Sequence, residues 1–256
     1  MSLVCKVSDP VDLLKEDIRM AILAPSNCGK TYYILYLLKY YLINKYKFIF
    51  LVIGAYNDIY DSAVWPNHIY RVGSKDQLNT VINNILTFGE SLVASGYKSK
   101  KILLIIDDVG SLGRGSSGIN TLMIRGRNAN ISTIYLTQSY NNLDKDMRAN
   151  LTHLCLYTMT SGIETFIRDT RVSDSKEYTK IVNKIFNRLA DRKKKGDTER
   201  YNLMLNLESN EITVGKIPLE LLPTLISKNI LMQQYSSMKD NEEAKEEWMP
   251  GADIYL

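Results

Sequence analysis

Histidine is nearly missing: His68 and His153 are the only two in 256 residues. So little imidazole leaves scant scope for histidine acid–base chemistry or a histidine-rich metal site. Cysteine is almost as scarce. Cys5, Cys28 and Cys155 lie far apart and form no CxxC pair. That argues against a disulfide framework or zinc site and for reduced thiols in a cytosolic setting. Long apolar runs are lacking too. FIFLVIGAY at 48–56 falls far short of the ~20 residues that span a bilayer, which predicts no membrane segment. The opening MSLVCKVSDPVDLLKED carries early charge and no apolar core, which predicts no signal peptide. Nor does one charge dominate: 32 Lys and Arg face 28 Asp and Glu, a formal +4. This mild basicity permits a nucleic-acid partner without requiring one.

What the chain does have is a core. At 45% hydrophobic, it can fill one large α/β domain. Short apolar runs at 19–24, 48–53, 68–72, 101–109, 131–136 and 154–157 read as strands. Helical spacing occupies 31–46, 75–94 and 163–190 between or after them. Alternation of the two predicts a mainly parallel sheet sandwiched by helices. Beyond 190 a basic turn precedes a hairpin with Ser209 and Asn210 at its tight end. The economical division is one domain over 1–235 and an acidic tail or peripheral helix over 236–256.

The first strand runs into APSNCGKT, residues 24–31, a near match to the phosphate loop G-x-x-x-x-G-K-[ST]. The chemistry needs successive backbone N–H groups turned inward, at a helix start whose dipole favours anions. Lys30 is placed to reach β- and γ-phosphates, and the Thr31 hydroxyl to ligate Mg²⁺. Pro25, Ser26, Asn27, Cys28, Gly29, Lys30, Thr31 and Tyr32 make up the expected nucleotide-binding set. Ala24 stands where the motif has glycine, which is tolerable if its φ is negative. Pro25 has no N–H to donate, so the donors are expected from Asn27 to Thr31. Cys28 reads as a small residue that fits, with a redox-sensing thiolate as the alternative.

KILLIIDDV at 101–109 supplies the second half of such a site: an apolar strand ending in two acids. Asp107 would hold Mg²⁺ through water, and Asp108 would polarise the attacking water. A third strand ends in Thr137-Gln138-Ser139, where Gln138 could contact the γ-phosphate or position that water. A strand and a helix lie between Lys30 and Asp107. That order predicts the ASCE branch of P-loop NTPases, in which an extra strand separates the two motif strands.

Together, APSNCGKT, LLIIDDV and IRGRNANISTIYLTQSYNNLDKDMRANLTHLCLY resemble the genome-packaging ATPases of nucleocytoplasmic large DNA viruses and their relatives. These include poxviruses and virophages, in the FtsK–HerA superfamily. The likeness covers roughly residues 15–170. It is most specific in Gly126-Arg127, Ile131-Ser132, Gln138 and Met147-Arg148-Ala149-Asn150. Asn128 stands where the family often has His. The resemblance implies a RecA-like three-layer α/β/α fold with a C-terminal helical and hairpin extension. It also implies ATP and Mg²⁺ as cofactors, and hydrolysis coupled to packaging of double-stranded DNA into a preformed capsid. The implied partners are a homo-oligomeric ring, pentameric or hexameric, and capsid vertex proteins. The implied setting is the host cytoplasm, at the virus factory, and the virion.

Ring ATPases reach a neighbour's γ-phosphate with an arginine. Arg125, Arg127 and Arg148 are the candidates, with Arg127 first and Arg148 second. GSLGRGSSG at 110–118 reads as a mobile loop, either a connector or a pore loop with Arg114 on DNA. Arg192 to Lys195 could meet DNA phosphates or form a solvated turn. Tyr32 and Tyr33 could stack near the base, while Tyr36, Tyr40 and Tyr41 serve packing or an interface. A small-molecule P-loop kinase and a non-catalytic nucleotide- or DNA-binding module remain as alternatives.

Overall fold

The structure, a computed structural model, describes residues 5–6, 17–55, 57–97, 101–157, 163–170, 172 and 174–216. The predicted tail over 236–256 lies outside these. Among the described residues nine strands form one sheet: β1 (Cys5–Lys6), β2 (Arg19–Leu23), β3 (Phe48–Ile53), β4 (Ile69–Arg71), β5 (Ile102–Asp107), β6 (Ile131–Thr137), β7 (His153–Leu156), β8 (Tyr201–Asn206) and β9 (Ile212–Lys216). Their spatial order is β1-β9-β8-β7-β2-β6-β5-β3-β4. Pairing is parallel from β7 through to β4, and antiparallel from β7 to β8 and β8 to β9. The antiparallel pairs belong to the C-terminal hairpin, which turns through Asn210 in the left-handed region.

Among the described residues six α-helices carry the connections: α1 (Lys30–Leu37), α2 (Lys75–Ala94), α3 (Ser117–Arg125), α4 (Lys145–Ala149), α5 (Ile163–Arg168) and α6 (Ser175–Lys194). Strand alternation sorts the core into two layers. Phe48, Phe50 and Val52 of β3, and Ile102, Leu104 and Ile106 of β5, join α2, α3, α5 and α6 on one face. Ile49, Leu51 and Ile53, with Leu103 and Ile105, join α1 on the other. The same period of two turns Asp107 toward the α1 face. Position in the alternation, rather than any local motif, thus decides which helix the carboxylate meets.

Three expectations change. The apolar pattern predicts a helix over 31–46, but α1 proper ends at Leu37 and continues as a π-helical turn over Leu38–Leu42. The strand inserted between the two motif strands is β6, which follows Asp107 in the chain; β3 lies outside β5. The 110–118 stretch is built in rather than a mobile loop. Gly110–Gly113 form a 3₁₀ turn, and Ser116 caps α3 by accepting from Ile119 N. Gly115 N donates to Asp144 Oδ2, Ser116 Oγ to Asn79 Oδ1, and Lys75 Nζ to the Arg114 carbonyl. Glycine and serine serve close backbone approach and capping there.

Gly54, just past β3, shows how tightly the strand ends are stacked. Its N–H donates to the Asp107 carbonyl at 3.3 Å. A Cβ added at Gly54 would collide with the backbone carbonyl of Asp108. Gly54→Ala is therefore expected to destabilise the fold by about 1–3 kcal/mol, the usual cost of overpacking. Chemical denaturation against the parent chain measures this, and an unchanged midpoint would contradict the close approach.

Candidate active site

The site grows from the C-terminal ends of parallel strands, where open α/β sheets bind ligands. Register brings those ends level. Leu23 of β2 pairs with Thr137 of β6 and Leu156 of β7, and Asp107 of β5 pairs with Ile53 of β3. The loop after β2 then leads into α1. Its demanding backbone positions are Asn27, with φ 61°, and Gly29, with φ 92°. Glycine adopts such angles at no steric cost, and asparagine tolerates them. Ala24 is not among the positive-φ residues. It is buried in the α1-side core, and its N–H donates to Thr137 O at 3.2 Å. The alanine therefore sits where no glycine is required.

No side chain caps the start of α1. Its first N–H groups have no intrahelical partner and face the loop, the arrangement that binds phosphate. Lys30 Nζ folds back onto the loop's own carbonyls, donating to Ala24 O and Pro25 O at 3.0 Å each. An ammonium held by two exchangeable carbonyl contacts can be transferred to an arriving anion. A cleft of about 650 Å³ opens over this loop. Asn27, Gly29, Lys30, Thr31 and Tyr32 form one wall, Asn57, Asp58 and Ile59 the other, and Arg200 reaches in as well. Pro25, Ser26 and Cys28 of the expected set do not line it. Cys28 instead packs against the α1-side core.

Asp107 is the buried acid of the site, 6% exposed. Its Oδ2 accepts from Tyr60 Oη at 2.7 Å and from Thr31 Oγ1 at 3.5 Å. Burial pushes its carboxyl up from the ordinary aspartate range, and the nearby Asp108 charge adds to this. The Tyr60 hydrogen bond and the Lys30 ammonium pull the other way. Tyr60 is itself fully buried, and burial followed by the Asp107 charge holds its phenol well above the usual tyrosine value. It therefore stays a neutral donor. Asp108 is exposed and turns into the left-handed region at φ 52°, pointing away from the strand's alternation. Gln138 is exposed at the end of β6, beside the loop.

Among the described residues, no group of three or more His, Cys, Asp or Glu could hold a metal ion. A cation here would draw on two protein oxygens, the Thr31 hydroxyl and the Asp107 carboxylate, with phosphate and water completing it. That is the habit of Mg²⁺. A carboxylate whose charge is disfavoured by burial is also what such a cation would offset.

The arginines separate. Arg148 is held inside its own chain: its guanidinium pairs with Asp169 at 2.9 Å, donates to Leu143 O at 2.9 Å and lies over the Phe166 ring. These contacts tie α4 to the end of α5 and leave its guanidinium engaged within its own chain. Arg125 pairs with Glu90 at 2.6 Å on the surface. Arg127 is exposed on the 3₁₀ turn Gly126–Ala129, and its side chain has no partner among the described residues. That turn precedes β6, whereas Gln138 follows it. Tyr33 is buried edge-on against Tyr157, so it belongs to the core and not to a base-stacking surface. Tyr32 lines the cleft.

Sequence reasoning missed the facing wall. Asn57 caps the 3₁₀ helix Asp58–Ser62 by accepting from Ile59 N, and this helix delivers Tyr60 to Asp107. The turn-forming Asn57-Asp58 pair after a buried strand is the available signal, and it does not single out Tyr60.

The family model described as Poxvirus A32 protein matches residues 8–244. The DNA packaging protein OPG160 of vaccinia virus (strain Copenhagen) is 32% identical over 247 residues, covering 91% of this chain and 87% of that protein. The monkeypox virus protein of the same name is 32% identical over 244 residues, covering 90% and 77%. Among solved structures, the genome packaging NTPase B204 of Sulfolobus turreted icosahedral virus 2, in complex with ATP-gammaS, is similar with a TM-score of 0.53. The identity is 16%, over 79% of this chain and 98% of that one. ATPases 2 and 3 of EssC from Geobacillus thermodenitrificans give a TM-score of 0.56 at 11% identity, over 88% and 45%. At these identities the two structures establish the shared α/β fold.

Tyr60→Phe keeps the ring and removes one hydrogen bond to a charged group, an interaction of about 1.5–3 kcal/mol. The expected result is a roughly ten-fold or greater weakening of the Mg²⁺ dependence of nucleotide binding. Metal-free binding should be unchanged. Titrating a fluorescent ATP analogue with and without Mg²⁺ reads both, and coincident curves would remove Tyr60 from the site.

Proposed function

The chain belongs to the Poxvirus A32 protein family, and we propose that it is an ATP-hydrolysing motor that moves double-stranded viral DNA into a preformed capsid. The observation that carries the chemistry is the meeting of Lys30, Thr31 and Asp107 at one sheet edge, beneath an uncapped helix start. The DNA comes from the relatives, which are named DNA packaging proteins.

In this reading the triphosphate lies along the N–H groups from Asn27 to Thr31. Lys30 leaves the Ala24 and Pro25 carbonyls for the β- and γ-phosphates, trading two neutral acceptors for charged ones. Thr31 and Asp107 would hold Mg²⁺, which would supply positive charge against the phosphates. Asp108, exposed and turned from the strand, takes the proton of the attacking water, and Gln138 orients that water. Tyr60 holds Asp107 in place.

Arg127 acts on a neighbouring subunit. β6 is seven residues long, so its ends stand about 20 Å apart. A side chain at its entrance cannot reach the phosphate site at its exit within one chain. Ile124, one helical turn before Arg127, is 57% exposed, as an interface residue would be in an isolated chain. A closed ring, of five or six copies, supplies each site with its neighbour's Arg127. The capsid vertex is the docking point, and the host cytoplasm and the virion are the places of work. Among the described residues, no helix is long and apolar enough to cross a membrane.

The test is ATPase rate with and without duplex DNA. Turnover should need Mg²⁺ and rise with DNA. Lys30→Ala should abolish it, and Asp108→Asn should lower it by about 10²–10⁴-fold. Phosphorylation of a small acceptor without DNA would replace the motor with a kinase. No turnover by the assembled protein would leave a binding module.

For Arg127→Ala, a loss of about 10³–10⁵-fold is expected, the usual worth of such a finger. Mixing it with Lys30→Ala should restore partial activity. Absence of recovery at every mixing ratio would place Arg127 outside the neighbour's site.

A further inference from the structure

Helix α6 carries an unusual share of the chain's charge. Its 20 residues hold seven Lys and Arg against two acids, Glu177 and Asp191, a net of +5. The whole chain sums to only +4. The positive charge is therefore concentrated on one element, and the rest of the chain is net −1.

The placement is regular. Lys176, Lys180, Lys184, Arg188 and Arg192 recur every fourth residue and are all exposed. Positions four apart lie on one helix face, each step advancing about 6 Å. The row follows the face opposite Tyr178, Val182 and Phe186, which are buried in the core with the hairpin strand β8. Arg192 is committed to Asp197 at 2.9 Å and to the Tyr201 ring. Lys176, Lys180, Lys184 and Arg188 have no side-chain partner among the described residues. A helix could lower its self-repulsion with i,i+4 acid–base pairs, and this face has none.

We infer that the outer face of α6 is a binding surface for the phosphate backbone of duplex DNA. This rests on the DNA-motor reading above and assigns the contact to one helix. Charge complementarity favours it, since backbone contacts come from Lys, Arg and Asn, and Asn183 and Asn187 accompany the row. The row is about 18 Å long from Lys176 to Arg188. That is enough to follow several phosphates at about 3.4 Å of axis per base pair. A protein partner fits less well. The row offers no aromatic or apolar anchor, and lysine is depleted in protein interfaces. The hairpin behind α6 acquires a purpose: it fastens the helix to the sheet edge nearest β7, so that force on DNA is passed to the nucleotide-bearing strands.

The experiment is a salt titration of duplex DNA binding by the full chain, followed by fluorescence anisotropy. Lys180→Gln, Lys184→Gln and Arg188→Gln together should lower the slope of log K against log salt by about 2–3, at about 0.9 per phosphate contact. Binding of a fluorescent ATP analogue should be unchanged. A charge-matched control, Lys47→Gln with Arg71→Gln and Lys145→Gln, should keep the parent slope. Glutamine preserves helix propensity. If the triple variant nevertheless loses its thermal transition, Lys184→Gln alone should lower the slope by about 0.9.

A parent-like slope in the α6 variants, with ATPase still stimulated by DNA, overturns this assignment and spares the motor. Equal losses in variant and control also overturn it, as a general charge effect. Parent-like DNA binding with lost affinity for an acidic capsid protein would make α6 a protein-docking face instead. A parent chain that binds ATP but no duplex at any salt removes both this inference and the motor.

Discussion

The site depends on keeping a negative charge where the fold has little water to solvate it. Asp107 ends the second motif strand and is almost wholly buried. An isolated carboxylate in such a place costs several kcal/mol and would tend to take up a proton. Its surroundings are arranged against that outcome. A fully buried tyrosine can only donate to it, the Thr31 hydroxyl faces the same oxygen, and Lys30 contributes a positive charge nearby. A divalent cation carried by phosphate would offset the remaining deficit.

That arrangement follows from strand alternation more than from the loop. Because successive side chains of β5 face opposite layers, Asp107 emerges on the α1 side with Leu103 and Ile105. Thr31 occupies the first turn of the helix on that layer, and Tyr60 belongs to the segment covering it. A shift of one residue in the register of β5 would send Asp107 into the α2 and α3 layer, away from both partners. Gly54 helps to hold that register, because the backbone of Asp108 rests against it.

The parts legible in sequence are those set by local chemistry. β3 and α2 begin and end where apolar periodicity puts them, and the C-terminal hairpin turns at Asn210. Lys30, Thr31 and Asp107 meet because strand, small-residue turn and helix form a local unit, delivered to one edge by parallel register. What remained hidden depends on packing between distant segments. Ala24 reads as a defect until its backbone angle is known; the left-handed positions prove to be Asn27 and Gly29. The glycines and serines of 110–118 read as slack until Asn79, Asp144 and Lys75 are seen to fasten them. Arg148 reads as available because Asp169 lies outside any local spacing rule. Tyr60 has no pattern at all, since the carboxylate its hydroxyl meets is 47 residues away.

The two ends of β6 carry the last step. Gln138 leaves its exit at the nucleotide edge, and Arg127 stands before its entrance on the far edge. If both serve hydrolysis, one rigid strand joins the site of its own subunit to the site of the next. A tightly paired strand cannot lengthen, so displacement at one end is transmitted to the other. β6 lies between β2 and β5 and pairs with both, so neither motif strand can shift without loading it. An inserted central strand therefore does more than widen the sheet. On the proposed reading of Arg127 it would be a stiff member through which a change at one phosphate site sets the position of the arginine offered to its neighbour.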